Sequence, residues 1–136
     1  MFLFFLTEGF RLLNVLYLDM KKKVLIVEKD KDILQIISHI LSSEGYEVST
    51  SQTERGVLER IEKEQPEVVL LDIVKPTLEG TELCRALKSF ENISVIVLST
   101  HMNIESFLNV CADDIISKPF DISELIDTIE KFTNDC

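Results

Sequence analysis

Four polar side chains stand directly behind apolar runs, and together they have the chemistry to handle a phosphoryl group. Glu28 follows Val24 to Val27, Asp72 follows Val68 to Leu71, Ser99 follows Val95 to Leu98, and Lys118 with Pro119 follows Ile115 and Ile116. A carboxylate can act as a nucleophile toward phosphorus, an ammonium can pair with the transferred oxygens, and a hydroxyl can donate to one of them. Position and charge do most of the work in such chemistry, so the four side chains must meet in one crevice.

The pattern along the chain supplies the elements that bring them there. Val24 to Val27 is a continuous apolar run suited to a strand buried on both faces of a parallel sheet. Asp30 or Asp32 caps the helix after it, whose apolar positions Ile33, Ile36, Ile37, Ile40 and Leu41 recur at helical spacing until Gly45. The unit repeats as strand Tyr46 to Thr50, helix Thr53 to Lys63 and strand Val68 to Leu71. A loop with Pro76 and Gly80, helix Thr81 to Lys88, strand Val95 to Leu98, a short helix from Ile104 and a weak strand at Ile115 and Ile116 follow. The last helix opens with Asp121 and Glu124 as a capping box and is expected to turn Ile122, Leu125, Ile126, Ile129 and Phe132 inward.

Five alternations of strand and helix predict an α/β fold: a doubly wound, flavodoxin-like five-stranded parallel sheet with five helices and strand order 2-1-3-4-5. Ligands of such sheets bind outside the carboxyl ends of the strands, near the point where the order reverses. Glu28, Asp72, Ser99 and Lys118 fall at those ends.

Composition sets the outer limits. The chain has 136 residues, 46% hydrophobic and 28% charged, which fits one globular domain. A formal charge of -10 opposes nucleic acid and anionic lipid, so protein partners are expected and membrane contact is not. Cys84, Cys111 and Cys136 have no metal or redox spacing and are read as reduced cysteines of a cytoplasmic protein. His39 and His101 have no triad or metal motif beside them.

Residues 1–20 are rich in Phe and Leu but broken by Glu8, Gly9, Arg11 and Asp19, too short an apolar run for a bilayer span and without a signal-peptide pattern. Three readings fit: an apolar extension upstream of a true start at Met20, an extra packed helix, or a membrane-surface contact. Residues 21–136 make up the domain proper.

This constellation resembles the receiver domain of two-component response regulators, over about 115 residues after Met20. LLDIVKPTLEG (Leu70 to Gly80) resembles the family's phosphoacceptor segment, with Asp72 in the acceptor place. VIVLST supplies Ser99 where the family has Ser or Thr. ADDIISKPF (Ala112 to Phe120) resembles the end of the fifth strand, with Lys118 as the phosphoryl-pairing lysine and Pro119 after a cis bond. The resemblance implies a sensor histidine kinase or phosphotransfer protein as donor, a magnesium ion beside the acidic residues, and a downstream protein that reads the switch. It implies a phosphoprotein signalling domain rather than an enzyme.

The chain also departs from the family. Two adjacent acids usually end the first strand, and here Glu28 and Lys29 take those places. Lys29 cannot ligate a cation, and the charges of Glu28, Lys29, Asp72 and Lys118 cancel, so magnesium held by Glu28, Asp72 and the Val74 carbonyl should bind weakly. Lys29 can instead act as a tethered cation on Asp72 or simply point to solvent, and Asp30 can restore a carboxylate if the loop bends. Ile115 takes the place of the family's switch aromatic. Val74 and His101 occupy the places that tune phosphoryl lifetime. The connection from Ser99 to Ala112 is about three residues short, close to one helical turn, which predicts a stunted fourth helix.

Two functions follow. One is a stand-alone receiver that accepts a phosphoryl group on Asp72 from a histidine kinase and signals by protein contact. The alternative, suggested by Lys29, Ile115 and the short helix, is a pseudo-receiver that acts as a phosphorylation-independent adaptor.

Overall fold

The computed structural model describes residues 21–73, 78–100 and 111–133. The expected helix from Ile104, Val74, His101, Cys136 and the first twenty residues lie outside the described residues.

Five strands form one parallel sheet: β1 (Lys23–Val27), β2 (Glu47–Ser51), β3 (Val68–Asp72), β4 (Ser94–Ser99) and β5 (Asp114–Ser117), in the spatial order β2-β1-β3-β4-β5. This is the expected order. The described helices are α1 (Lys31–Ser43), α2 (Val57–Glu64), α3 (Leu78–Leu87) and α4 (Ile122–Thr133). Among the described residues no helix is long and apolar enough to cross a membrane.

Side chains alternate across a strand, so the apolar runs of the inner strands feed two cores at once. Val24, Ile26, Val68, Leu70, Ile96 and Leu98 face α1 and α4, meeting Leu34, Ile37, Leu41, Leu125 and Ile129. Leu25, Val27, Val69, Leu71, Val95 and Val97 face the other way, toward Val57 and Ile61 of α2 and Leu83, Cys84 and Leu87 of α3. Each such side chain removed from water stabilises the fold by roughly 1.5–3 kcal/mol before entropy is charged against it.

The helix ends are locally specified. The Asp30 side chain accepts from the backbone N–H of Asp32 and Ile33, at 2.9 and 3.1 Å, which fixes where α1 begins. Gly45, with φ of 96°, takes the chain out of α1 in a conformation that L side chains rarely adopt. At α4 the Asp121 side chain accepts from the Glu124 N–H at 2.7 Å.

Three expectations are corrected. Helix α2 begins at Val57 rather than Thr53, because Ser51 to Thr53 are tied into a local turn: the Ser51 hydroxyl donates to the Thr53 carbonyl at 2.6 Å. Ile122 and Ile36 point outward, 56% and 59% exposed, since each helix needs only one stripe against the sheet. The cysteines are not all reduced: Cys84 of α3 and Cys111, just before β5, are joined by a disulfide with Cα atoms 5.4 Å apart. Their separation of 27 residues gave no motif, because α3 and the entry to β5 meet only once the sheet has formed.

The cross-link restricts the unfolded chain. For a sequence separation of 27 residues the chain-entropy estimate is roughly 3–4 kcal/mol. Cys84→Ala should therefore lower the urea unfolding free energy by about that amount relative to the oxidised protein, and dithiothreitol should lower that of the wild type but leave the variant unchanged.

Candidate functional site

At the carboxyl ends of β1, β3 and β4 the apolar sequence gives way to Glu28, Asp72 and Ser99, which are 1%, 5% and 0% exposed. Strand register holds them in place. Asp72 pairs with Leu98 across β3 and β4, Ser99 pairs with Ser117 across β4 and β5, and the Lys118 N–H donates to the Ser99 carbonyl at 2.9 Å. The Glu28 N–H donates to the Ser51 carbonyl at 3.0 Å, which closes the β1 side of the crevice. The Lys118–Pro119 peptide is cis, in the place expected for it.

Lys118 is the centre of the site. Its Nζ donates to Glu28 Oε1 at 3.1 Å and lies 2.7 Å from Asp72 Oδ1. The second contact is a close ion pair, which leaves Asp72 Oδ1 room for a further partner. Glu28 Oε2 likewise has no hydrogen-bond partner among the described residues.

Two carboxylates share one ammonium here, and the pKa values reflect it. Burial pushes the Glu28 carboxyl from its ordinary 4.5 up to about 8, helped by the Asp72 carboxylate and opposed by Lys118. Burial acts to lower the Lys118 pKa, but Asp72 and then Glu28 outweigh it and the net direction is upward. Near neutral pH a proton on Glu28 and the charge on Lys118 together balance the crevice.

The other predicted residues divide. Lys29 does not reach Asp72: its side chain is 60% exposed and its Nζ lies 3.8 Å from Glu54 Oε1. The physical reason is that Lys118 already occupies the carboxylates, and a second cation beside it would be repelled and would lose its hydration. Asp30 does not turn into the crevice, because its carboxylate caps α1. Ile115 is half-buried and packs on the layer that contains Leu71 and Val97. The sequence reading missed Glu54 as the partner of Lys29; the only available signal was an acid in a turn-rich segment after β2, which has no distinctive spacing.

A five-stranded parallel sheet in this order, with two acids, a hydroxyl and a lysine at its carboxyl edge, is the architecture of a flavodoxin-like α/β domain. The sequence profile of the response regulator receiver domain matches residues 24–130. The chain is similar to the response regulator MprA of Mycolicibacterium vanbaalenii, 32% identical over an aligned length of 111 residues that covers 79% of this chain and 48% of that protein. It thus spans about half the length of that relative. Among solved structures it resembles a CheY-like receiver domain protein from Methanospirillum hungatei, with 36% identity, a TM-score of 0.75, and 83% and 94% of the two chains covered. It also resembles the BeF3-activated N-terminal receiver domain of Klebsiella pneumoniae RstA, with 26% identity, a TM-score of 0.76, and 84% and 100% covered. The chain belongs to the response regulator receiver domain family of two-component signalling.

Receiver domains typically bind magnesium at the phosphorylation site, and the residues present fit such an ion through two donors. Glu28 Oε2, buried without a hydrogen-bond partner among the described residues, and Asp72 Oδ1, buried with only the Lys118 ion pair, are carboxyl oxygens of the kind a hard cation takes. Among the described residues no group of three or more His, Cys, Asp or Glu is placed to hold a metal.

The raised Glu28 pKa has a definite sign for stability. The folded protein binds the Glu28 proton more tightly than the unfolded chain, so its contribution is complete below about 4.5 and is lost as pH rises toward about 8. In metal-free protein the urea unfolding free energy should decline across that window, and Glu28→Gln should flatten the decline. An unchanged pH profile in the variant would show that Glu28 titrates normally.

Proposed function

We propose that the chain accepts a phosphoryl group on Asp72 from the phosphohistidine of a sensor histidine kinase or phosphotransfer protein, and passes the signal to a downstream protein by contact. The observation that carries this reading is the Asp72–Lys118 pair: an acceptor carboxylate at the end of the central strand with an ammonium 2.7 Å away.

In the transfer an Asp72 oxygen attacks phosphorus, the bond from phosphorus to the donor imidazole nitrogen breaks, and the bonding pair stays on the imidazole. Lys118 pairs with the phosphoryl oxygens as charge shifts from the Asp72 carboxylate onto them, and the Ser99 hydroxyl donates to one of those oxygens. Glu28 gives up its proton or keeps it according to the net charge around Lys118. Magnesium, when bound, supplies further positive charge to the phosphoryl oxygens and is held by Glu28 and Asp72 with the Val74 carbonyl; its affinity is weak. Lys29 contributes to that weakness through its charge rather than by contact. Val74 and His101 tune the lifetime of the phosphoaspartate. The protein acts in the cytoplasm, catalyses at most its own phosphorylation from a phosphodonor and its own dephosphorylation, and has no nucleic-acid partner.

A second reading, a pseudo-receiver that binds a partner without phosphorylation, is favoured by one feature. Lys118 already spans Glu28 and Asp72, so the crevice is close to electrically balanced without a phosphoryl group.

Intact-mass analysis after incubation with a small acyl phosphate separates the two. A gain of one phosphoryl group, about 80 Da, that is lost in Asp72→Asn and slowed about a hundredfold in Lys118→Ala is expected of the acceptor. No gain with or without magnesium, in folded protein, would leave the pseudo-receiver. In the same assay Lys29→Asp should lower the magnesium concentration needed for half-maximal labelling by about tenfold.

A further inference from the structure

The disulfide lies in a telling place. Cys84 and Cys111 are 0% and 1% exposed and sit in the same apolar layer as Leu71 and Ile73, the neighbours of Asp72 in sequence. Ile115, three residues before Lys118, packs on that layer too. The bond ties α3, which follows the Asp72 strand, to the entry of β5, the strand that leads to Lys118.

A second, non-covalent tie runs beside it. Lys88, just past the end of α3, donates to Asp113 Oδ1 at 2.6 Å, and Asp113 Oδ2 accepts from the Val95 N–H at 2.7 Å. Those bonds keep the two segments adjacent when the sulfurs are not bonded, so the thiols remain placed to close again. A bridge that can re-form inside an intact fold behaves as a site of reversible chemistry.

We propose that Cys84 and Cys111 are a reversible thiol–disulfide site that takes cellular dithiols and low-molecular-weight disulfides as reactants, and that its bonding state tunes the Asp72–Lys118 crevice. The second half rests on the reading of Asp72 as phosphoryl acceptor. For reduction, one thiolate of a dithiol attacks either protein sulfur, the S–S bond breaks, and the departing sulfur takes a proton. The dithiol's second sulfur then displaces the other protein sulfur, which is also protonated. Two electrons enter the protein and the dithiol leaves as a disulfide. Glutathione disulfide runs the reverse, leaving as two glutathione thiols. Burial of both sulfurs makes exchange proceed through local opening of the layer. Once unbonded, the sulfurs must part to contact distance, and a close-packed interior passes that displacement to Leu71, Ile73 and Ile115.

Two measurements on the full chain test this. Alkylation after denaturation without reductant should add one group to oxidised protein, at Cys136, and three to protein first treated under native conditions with dithiothreitol, since the chain has three cysteines. Glutathione disulfide should return the count to one. Three groups under every condition, or a bond that native dithiothreitol does not open, would overturn the reversible site. The rate of Asp72 labelling by acyl phosphate should then differ about fivefold or more between the two forms, and Cys84→Ala/Cys111→Ala should label at one rate whatever the redox buffer. Equal rates in oxidised and reduced wild type would overturn the coupling. If Asp72 takes no phosphoryl group in either form, the acceptor reading fails by itself, and amide hydrogen exchange from Ile115 to Lys118 decides the coupling: different protection in the two forms supports it, and identical protection overturns it.

Discussion

The structure turns on one ammonium shared by two buried carboxylates. Lys118 Nζ reaches Glu28 and Asp72 from just past the fifth strand, and the three side chains stand at the carboxyl ends of three different strands of the sheet. Removing one partner from such a group leaves the others desolvated and unbalanced, which costs several kcal/mol. The sheet must therefore be complete, and in register, before the crevice is electrically tolerable.

That demand explains why the scaffold is so uniform. The inner strands are apolar on both faces through their middles because each must pack against helices on both sides, and polar residues stand at or just beyond their ends. Charged groups placed there are held by neighbours whose rotamers are fixed by close packing, so little is reorganised when charge moves. A surface ion pair such as Lys29 with Glu54 has no such support and contributes little to stability.

Much of this was readable in advance from the order of the residues. Continuous apolar runs followed by Glu28, Asp72 and Ser99 marked the strands and the place where these candidate residues converge, because a polar residue behind a buried run stands at its mouth. The strand order followed from the alternation of elements. What escaped was whatever depends on side-chain direction or on contacts between distant segments. Lys29 carries the right charge at the right position, yet its partner was decided by competition with Lys118. Ile36 and Ile122 fit the helical apolar pattern and still face outward, since periodicity shows a stripe but not its width. The pairing of Cys84 with Cys111 was invisible because their proximity is a property of the assembled sheet and not of their spacing.

The two outermost strands differ from the inner three in a way that concerns the protein's neighbours as well as itself. β2 reads Glu-Val-Ser-Thr-Ser with no fully buried residue, and β5 is only four residues long, with Asp114 bound to Lys131 at 3.0 Å. An open strand edge is a template for another chain's backbone, and an extended apolar edge would recruit one. Here one border is hydroxyl-rich and carries an acid, and the other is short and charged. The sheet is thereby discouraged from growing by strand addition, so crowded copies can meet through their helical faces without polymerising along their borders.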